Sequence, residues 1–200
     1  GPAAAPTVSS GLLSIIAAGA SGYLIEDVTL APQIASGYVD AIKVNQAGTF
    51  RRLNVSGTSD GMVIYGDGVS VFNSHFHSFL HLDSDPRWGG GPSHDDAVQV
   101  QAGRNVTIAG NSLQGAYNAA VQVTQDAGIT QNLVINNNWL DGGGCTVNYK
   151  SNGAYKTGMQ ADNNRFGRSQ RVANCALIHN SAASDLSPSG NVWDDNGQPA

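Results

Sequence analysis

Seven polar residues recur along the chain at intervals that cluster near 27 residues, and an apolar position follows each of them closely. They are Asp27, Asn54, Asn73, Asn111, Asn138, Asn164 and Asn191. The successive spacings are 27, 19, 38, 27, 26 and 27 residues. A period of this length is typical of a structural unit that is repeated and stacked, and not of a domain that is folded once.

The repeats contain short segments that alternate polar with small or apolar residues. One segment begins at the recurring residue, as in Asn138-Trp-Leu-Asp-Gly. A second segment follows a turn and is found at 41–45, 62–66, 97–101, 120–124, 146–150 and 176–180. Alternation with a period of two predicts β-strands, and no segment has a convincing helical stripe. We therefore predict an all-β solenoid of about seven coils, roughly 35 Å long at the usual strand spacing.

The recurring asparagines are predicted to be part of the scaffold. In a stack of coils, a buried Asn can donate to and accept from the turns above and below it. The two cysteines support the same alignment, because Cys145 and Cys175 occupy one register in consecutive coils. Their Cα atoms should lie about 4.8 Å apart, which is within disulfide range, although two stacked free thiols would also fit.

The chain resembles the right-handed parallel β-helix proteins of the pectate-lyase-like superfamily, and in particular β-helix repeat proteins of actinobacteria and their phages. The resemblance covers about residues 69–195, including Asn111-Ser-Leu-Gln-Gly and Ser189-Gly-Asn-Val-Trp-Asp-Asp. It implies a right-handed parallel β-helix. It does not fix an activity, because the superfamily includes lyases, hydrolases, epimerases, phage tail-spike domains and non-catalytic stacks.

Composition and charge narrow the class of protein. The 25 glycines and a charged fraction of only 12% suit a turn-rich β-domain. We expect a linker or expression remnant at 1–10 and a single domain at 11–200, with an N-terminal cap at 11–23. The net charge of −5, without a basic patch, argues against nucleic acid and anionic membranes as partners. No segment predicts a signal peptide or a membrane span.

Function is expected where the repeat is broken. The 38-residue interval contains an inserted loop at 82–96 that is rich in Gly and Pro, and three histidines (His75, His77 and His81) come just before it. Loops on a rigid solenoid commonly carry functional side chains. The predicted catalytic cluster is Asp83, Asp85, His94, Asp95 and Asp96.

Two enzymatic reactions suit this cluster. Glycoside hydrolysis needs two carboxyl groups, and the predicted pair joins Asp95 or Asp96 to an aspartate across the loop. A polysaccharide lyase needs a base such as His94 or Tyr117, and a cation that neutralises a uronate. No cofactor is expected for a hydrolase, whereas in a lyase the Asp cluster could hold Ca²⁺ through its oxygen atoms. Because the chain is acidic, a neutral glycan is slightly favoured.

Polar residues on neighbouring strands extend the predicted site into a strip that could hydrogen-bond a polysaccharide. Gln99, Gln122 and Asn148 are expected to form one exposed column, and Gln101, Thr124 and Lys150 the next. The predicted substrate-binding residues are Arg87, Trp88, Gln99, Gln101, Tyr117, Gln122 and Lys150, with no metal ligand among them.

A non-enzymatic alternative is a glycan-binding or receptor-binding module of a phage tail fibre or surface protein. As a tail module it would be a homotrimer, in which the partner chains protect the open sheet edges. Ile64 and Ile178 are expected to face outwards and would suit such a partner surface. Under either hypothesis the protein is expected to be extracellular, either secreted or associated with a virion.

Overall fold

The structure is a computed structural model that describes residues 11–16, 21–150, 158–179 and 186–200. Within these ranges the chain is built from short strands. The first nine strands are β1 (Gly11–Ile15), β2 (Tyr23–Glu26), β3 (Thr29–Leu30), β4 (Asp40–Val44), β5 (Gly48–Arg51), β6 (Asn54–Val55), β7 (Met62–Ile64), β8 (Val69–Phe72) and β9 (His75–Phe76).

A single 3₁₀ turn, Pro86–Trp88, lies in the loop that follows β9. The remaining described strands are β10 (Asp96–Val100), β11 (Gly103–Arg104), β12 (Thr107–Ala109), β13 (Ser112–Ala116), β14 (Ala119–Val123), β15 (Thr130–Gln131), β16 (Val134–Asn136), β17 (Trp139–Gly142), β18 (Val147–Tyr149), β19 (Met159–Asp162), β20 (Arg165–Phe166), β21 (Leu177–His179), β22 (Leu186–Ser189) and β23 (Val192–Trp193).

Three parallel sheets, each made of seven of the described strands, run along the stack, and each coil contributes one strand to each sheet. Sheet 1 has the order β1-β4-β7-β10-β14-β18-β21, sheet 2 has β2-β5-β8-β12-β16-β19-β22, and sheet 3 has β3-β6-β9-β13-β17-β20-β23. Strands β11 and β15 form a fourth, two-stranded sheet. The predicted parallel β-helix of about seven coils is confirmed.

The core is a set of apolar columns, because the register places like residues above one another. In sheet 1, Val98, Val121 and Val147 are paired in three successive coils and are fully buried. Ile108 lies over Ile135 in sheet 2 in the same way. No coil could bury these faces by itself, so the apolar stabilisation of each coil depends on its neighbours.

An asparagine ladder (Asn111, Asn138, Asn164 and Asn191) follows the turn between sheets 2 and 3. The backbone N–H of each of the first three donates to the Oδ1 atom of the next, over 2.9–3.1 Å. The side-chain amides donate to carbonyl oxygens, as Asn138 Nδ2 does to Ile108 O at 2.9 Å. The predicted scaffold role is confirmed for these four residues.

For the three earlier residues of the predicted series, Asp27, Asn54 and Asn73, the predicted ladder position is wrong by one residue. Ser74, and not Asn73, continues the ladder, since its N–H donates to Asn111 Oδ1. Asp27 and Asn73 instead occupy the preceding left-handed position, with φ of 56° and 47°, and Asn54 is an exposed strand residue. Asn and Asp tolerate left-handed backbone better than most residues, so the same residue types recur at two adjacent positions.

A one-residue slip also affects the prediction for Ile64. Met62 pairs with Ile42 and Val98, so Ile64 lies in the inward column and is fully buried. The prediction that Ile64 faces outwards is therefore wrong, whereas Ile178 is 47% exposed as expected. Because side chains alternate along a strand, a shift of one residue exchanges the two faces.

Cys145 and Cys175 form a disulfide between consecutive coils. Their Cα atoms are 4.7 Å apart, as the predicted register requires. The bond joins residues separated by 30 positions, in the part of the stack that lies beyond the ladder residue Asn138. It links the coil that contains β18 to the coil that contains β21.

We predict that Asn138→Ala lowers the free energy of unfolding by roughly 2–5 kcal/mol, because the Asn111 N–H and the Ile108 carbonyl lose buried hydrogen bonds. Urea denaturation measures this change. Asn137→Gly is the matched control, since Asn137 is exposed at φ 54° and glycine accepts that conformation. Equal stabilities of the two variants would contradict the ladder's structural role.

We predict that the double substitution Cys145→Ala, Cys175→Ala costs about 3–4 kcal/mol, since the disulfide restricts a long loop in the unfolded chain. Dithiothreitol should lower the stability of the native protein by a similar amount. The double variant should not respond to dithiothreitol at all. A native protein that is equally stable with and without the reductant would refute the prediction.

Candidate functional site

A carboxylate stack (Asp40, Asp60 and Asp96) lies where three consecutive strands of sheet 1 begin. The register pairs Ile42 with Met62 and Met62 with Val98, so the aspartates two residues earlier occupy one position in three coils. All three are buried, with relative exposures of 8%, 9% and 0%. Carboxylates that repeat at the coil spacing repel one another if all are ionised, so this column is electrostatically strained in its charged form.

Hydrogen bonds connect the members of the stack to one another. The Asp60 N–H donates to Asp40 Oδ1 at 3.4 Å, and the Asp96 N–H donates to Asp60 Oδ1 at 2.8 Å. Lys43 Nζ lies 3.0 Å from Asp40 Oδ2, and Asn118 Nδ2 donates to Asp96 Oδ1 at 2.8 Å. Asp96 Oδ2 is buried without a hydrogen-bond partner among the described residues.

The environment raises the pKa values of two of the three carboxyl groups. Burial, reinforced by Asp95 and opposed by the Asn118 amide, raises the pKa of Asp96 to about 8. Burial also raises the pKa of Asp60 well above its usual value, and the neighbouring carboxylates Asp96 and Asp40 raise it further. Asp40 has an ammonium partner, Lys43. The stack therefore contains two carboxyl groups, Asp60 and Asp96, whose pKa values lie above the usual range.

An outer cleft of about 370 Å³ opens over the first two members of the stack. Its lining comes from sheet 1, from the residues around it and from the inserted loop, and consists of Asp40, Lys43, Ser59, Asp60, Val63, Tyr65, Arg87, Trp88, His94, Gln99, Gln101, Thr124 and Asp126. The cleft brings together five of the predicted site residues, Arg87, Trp88, His94, Gln99 and Gln101. Trp88 is 53% exposed and stacks on His94 with ring centroids 4.2 Å apart, which forms an aromatic wall.

Asp85 and Arg87 fix the inserted loop. Asp85 Oδ1 accepts from the Arg87 N–H at the start of the 3₁₀ turn, and both carboxylate oxygens bind the Arg87 guanidinium. These hydrogen bonds lower the pKa of the buried Asp85 carboxyl. Arg87 also donates to Gly37 O at 2.7 Å and lies over the Tyr38 ring. The loop is thereby tied to an earlier coil, and Trp88 and His94 are positioned at the cleft.

Asp95 points to a different place from Asp96, as predicted for adjacent strand residues. Asp95 is fully buried, and its Oδ1 atom lies 2.8 Å from His81 Nδ1. His81 stacks on Tyr117 with ring centroids 3.4 Å apart. Together these residues line a second cavity of about 380 Å³, which we call the His81 pocket. Asp95 and Tyr117 are therefore separate from the outer cleft.

The other predicted residues lie outside the outer cleft. The Asp83 side chain is fully exposed, and its Oδ1 atom lies 3.7 Å from His81 Nε2. Gln122 pairs with Gln99 and Asn148 as predicted but is only 7% exposed, so this column is not an open strip. Lys150 forms an exposed ion pair with Asp126, which is itself a cleft residue.

Sequence reasoning missed Asp40 and Asp60, although a signal was present. The segments Asp40-Ala-Ile, Asp60-Gly-Met and Asp96-Ala-Val share the order aspartate, small residue, apolar residue. The pattern marks the same point in three consecutive coils. It lies within the regular repeat and not in the inserted loop that interrupts it.

Among the described residues, no three His, Cys, Asp or Glu side chains are arranged to hold a metal ion. In the same part of the chain, no helix has the length and apolar character needed to cross a membrane. Comparisons with known protein families, with curated proteins and with solved structures found no match.

We predict that Asp96 makes the protein less stable as the pH rises. Its pKa is near 8 in the folded chain and near 3.8 when unfolded, so its contribution is complete below about pH 4 and is lost up to about pH 8. The slope should approach about 1.4 kcal/mol per pH unit. Asp96→Asn should remove this component in urea titrations at several pH values.

Asn137→Gly is again the control, because it changes no titratable group and should keep the native slope. Asn at position 96 keeps an oxygen for the Asn118 amide, so folding should be retained. If Asp96→Asn and the native protein lose stability in parallel between pH 4 and 8, the assignment of this proton to Asp96 is wrong.

Proposed function

We propose that the protein is an extracellular glycan-degrading enzyme, a glycoside hydrolase that uses Asp60 and Asp40 in the outer cleft. One observation carries the proposal. A carboxyl group whose pKa is raised by burial lies one coil away from a carboxylate that is paired with an ammonium group, and both line one cleft. A pair of carboxyls with opposite protonation is what glycoside hydrolysis requires.

Asp60 is the proposed general acid. Its Oδ1 atom accepts from the Asp96 N–H, which leaves Oδ2 as the atom that carries the proton when the carboxyl is protonated. The protonated carboxyl can therefore donate from Oδ2 to the glycosidic oxygen of a bound sugar. Asp96, protonated and fully buried beneath it, keeps a negative charge from developing next to the acid.

Asp40 is the proposed base or nucleophile. The Lys43 ammonium group lies 3.0 Å from Asp40 Oδ2 and holds this carboxylate in place. Adjacent strands lie about 4.8 Å apart, which is close to the carboxyl separation of about 5 Å in retaining hydrolases. The stacked arrangement consequently favours a retaining mechanism, in which Asp40 attacks the anomeric carbon.

The remaining lining residues suit a neutral sugar. Trp88 presents an exposed aromatic face for stacking, and Gln99, Gln101 and Thr124 provide hydrogen bonds to hydroxyl groups. Thr124 Oγ1 donates to Gln101 Oε1 at 3.2 Å, which orders this part of the wall. The Cys145–Cys175 disulfide supports an oxidising, extracellular location. The resemblance to pectate-lyase-like proteins is consistent with a polysaccharide substrate.

A carbohydrate-binding module without catalysis is the second candidate. It is supported by the exposed stack of Trp88 on His94, because stacking and hydrogen bonds suffice for binding. A lyase finds less support. The cation of the loop, Arg87, is occupied by Asp85 and Gly37 O, and Lys43 is paired with Asp40.

We predict that Asp60→Asn and Asp40→Asn each lower kcat at least 100-fold on the glycan that the native protein cleaves, because each removes one carboxyl of the acid and base pair. A panel of neutral and acidic polysaccharides identifies that glycan, with reducing ends measured for hydrolysis and absorbance of unsaturated uronates for elimination. The exposed Asp67→Asn variant should keep native activity.

Full activity in a folded Asp60→Asn variant would overturn the assignment. Unsaturated products would replace the hydrolase with a lyase. Binding that depends on Trp88 without either product would leave the module as the function.

A further inference from the structure

A third cavity, of about 430 Å³, lies at the turn between sheets 2 and 3 and shares no lining residue with the outer cleft. In a coil of three strands this turn is the one that does not adjoin sheet 1, so the cavity and the cleft lie on different sides of the stack. We call it the Trp139 pocket and define it by Gly110, Ser112, Asn137, Trp139, Asn163 and Arg165. The proposed hydrolysis uses none of these residues.

Small residues in one coil open the pocket beside Trp139. The register pairs Trp139 with Ser112 in the preceding coil and with Arg165 in the following one. Gly110 occupies the turn of the same coil as Ser112. Neither a glycine nor a serine can cover an indole ring, so Trp139 stays only half-buried and lines the cavity.

Asp194 fixes the position of the Trp139 ring. The indole N–H donates to the Asp194 carboxylate, and Arg165 Nε donates to Asp194 Oδ1 at 2.7 Å. The hydrogen bonds from Arg165 and Trp139 lower the pKa of this carboxyl, so it is ionised at neutral pH and keeps both donors. The single polar atom of the indole is thereby satisfied, and a ring that is already held in place loses little freedom when a ligand stacks on it.

Two exposed amides lie next to the ring. Asn137 and Asn163 occupy the left-handed turn position in consecutive coils, each with φ of 54°. The amides of the buried ladder residues beside them, Asn111 and Asn138, are bonded within the stack. Asn137 and Asn163 therefore present donors and acceptors to a ligand at the coil spacing of about 4.8 Å, which is close to the length of one sugar ring.

The pocket is close to neutral in charge. Among the described residues that line it, Arg165 alone is charged, and its guanidinium is paired with Asp194. An ionic ligand therefore gains little at this site. A ring that carries hydroxyl groups can stack on the indole and hydrogen-bond to the amides, which is how proteins recognise neutral sugars.

We propose that the Trp139 pocket is a second, non-catalytic binding site for a neutral polysaccharide. A sugar ring stacks on Trp139, and its hydroxyl groups bond to Asn137 and Asn163. The site holds the polymer at a distance from the outer cleft, so that the protein stays on its substrate between cleavage events. The choice of a glycan as the ligand rests on the function proposed for the outer cleft, but binding at Trp139 does not require cleavage.

NMR titration of the indole N–H signals tests the site, because the chain has three tryptophans and two of them report on the two sites separately. Trp88→Phe and Trp139→Phe assign the signals of the cleft and the pocket. The probes are cellopentaose, maltopentaose, xylopentaose and mannopentaose. At least one of them should shift the Trp139 signal in a saturable manner, and Trp88→Phe should not change the midpoint of that shift.

Asn137→Gly removes one amide without disturbing the turn, because glycine accepts the same conformation. It should weaken binding at Trp139 about 3- to 10-fold, as expected for the loss of one hydrogen bond, and leave binding at Trp88 unchanged. Asn132→Gly is the matched control. Asn132 is also exposed in a left-handed turn, with φ of 53°, but lies outside the pocket, so this variant should keep the native affinity.

The two proposals fail in different ways. A Trp139 signal that none of the four probes moves, or native affinity in the Asn137→Gly variant, would overturn the second site even if the glycan is cleaved in the outer cleft. Saturable movement of the Trp139 signal without movement at Trp88 and without cleavage would support the second site and overturn the hydrolase.

Discussion

The structure depends on the parallel stacking of coils at a fixed spacing, with backbone hydrogen bonds running along the stack. No coil has an apolar core of its own, so the columns of Val and Ile and the asparagine ladder stabilise the fold only when register is kept. The Asn138 side chain shows how strict this is, because it bonds to the turns on both sides of it. Register is therefore the property that selection on this sequence must preserve.

The same spacing places the three aspartates of the carboxylate stack close to one another. A residue type that repeats at one position in successive coils is brought close to itself, whatever its charge. For apolar residues this gives a core, and for Cys145 and Cys175 it gives a disulfide. For Asp40, Asp60 and Asp96 it gives like-charged groups that cannot all ionise in a buried column. Burial in the stack is the main cause of the raised pKa values of Asp60 and Asp96.

The sequence predicted the architecture well and the site only in part. Strand alternation and the repeat specified the coils, because both are local properties of the chain, whereas register was wrong by one residue at Asn73 and Ile64, where two adjacent positions accept similar residues. The inserted loop, which the sequence marks as an interruption of the repeat, contributes Trp88 and His94 to the outer cleft. The other residues of the cleft could not be predicted from the loop sequence, since Asp60 belongs to a neighbouring coil. In the same way, the contact between His81 and Asp95 depends on the folded path of the loop between them.

Stacking in a buried column raises the pKa values of two aspartates at the base of the cleft, Asp60 and Asp96. Carbon-13 NMR titration of the aspartate carboxyl signals, assigned with Asp60→Asn and Asp96→Asn variants, measures this directly in the folded protein. We predict that the Asp96 carboxyl titrates near pH 8 and that the Asp60 carboxyl titrates well above its usual pH. Titration of both carboxyls near pH 4 would contradict it.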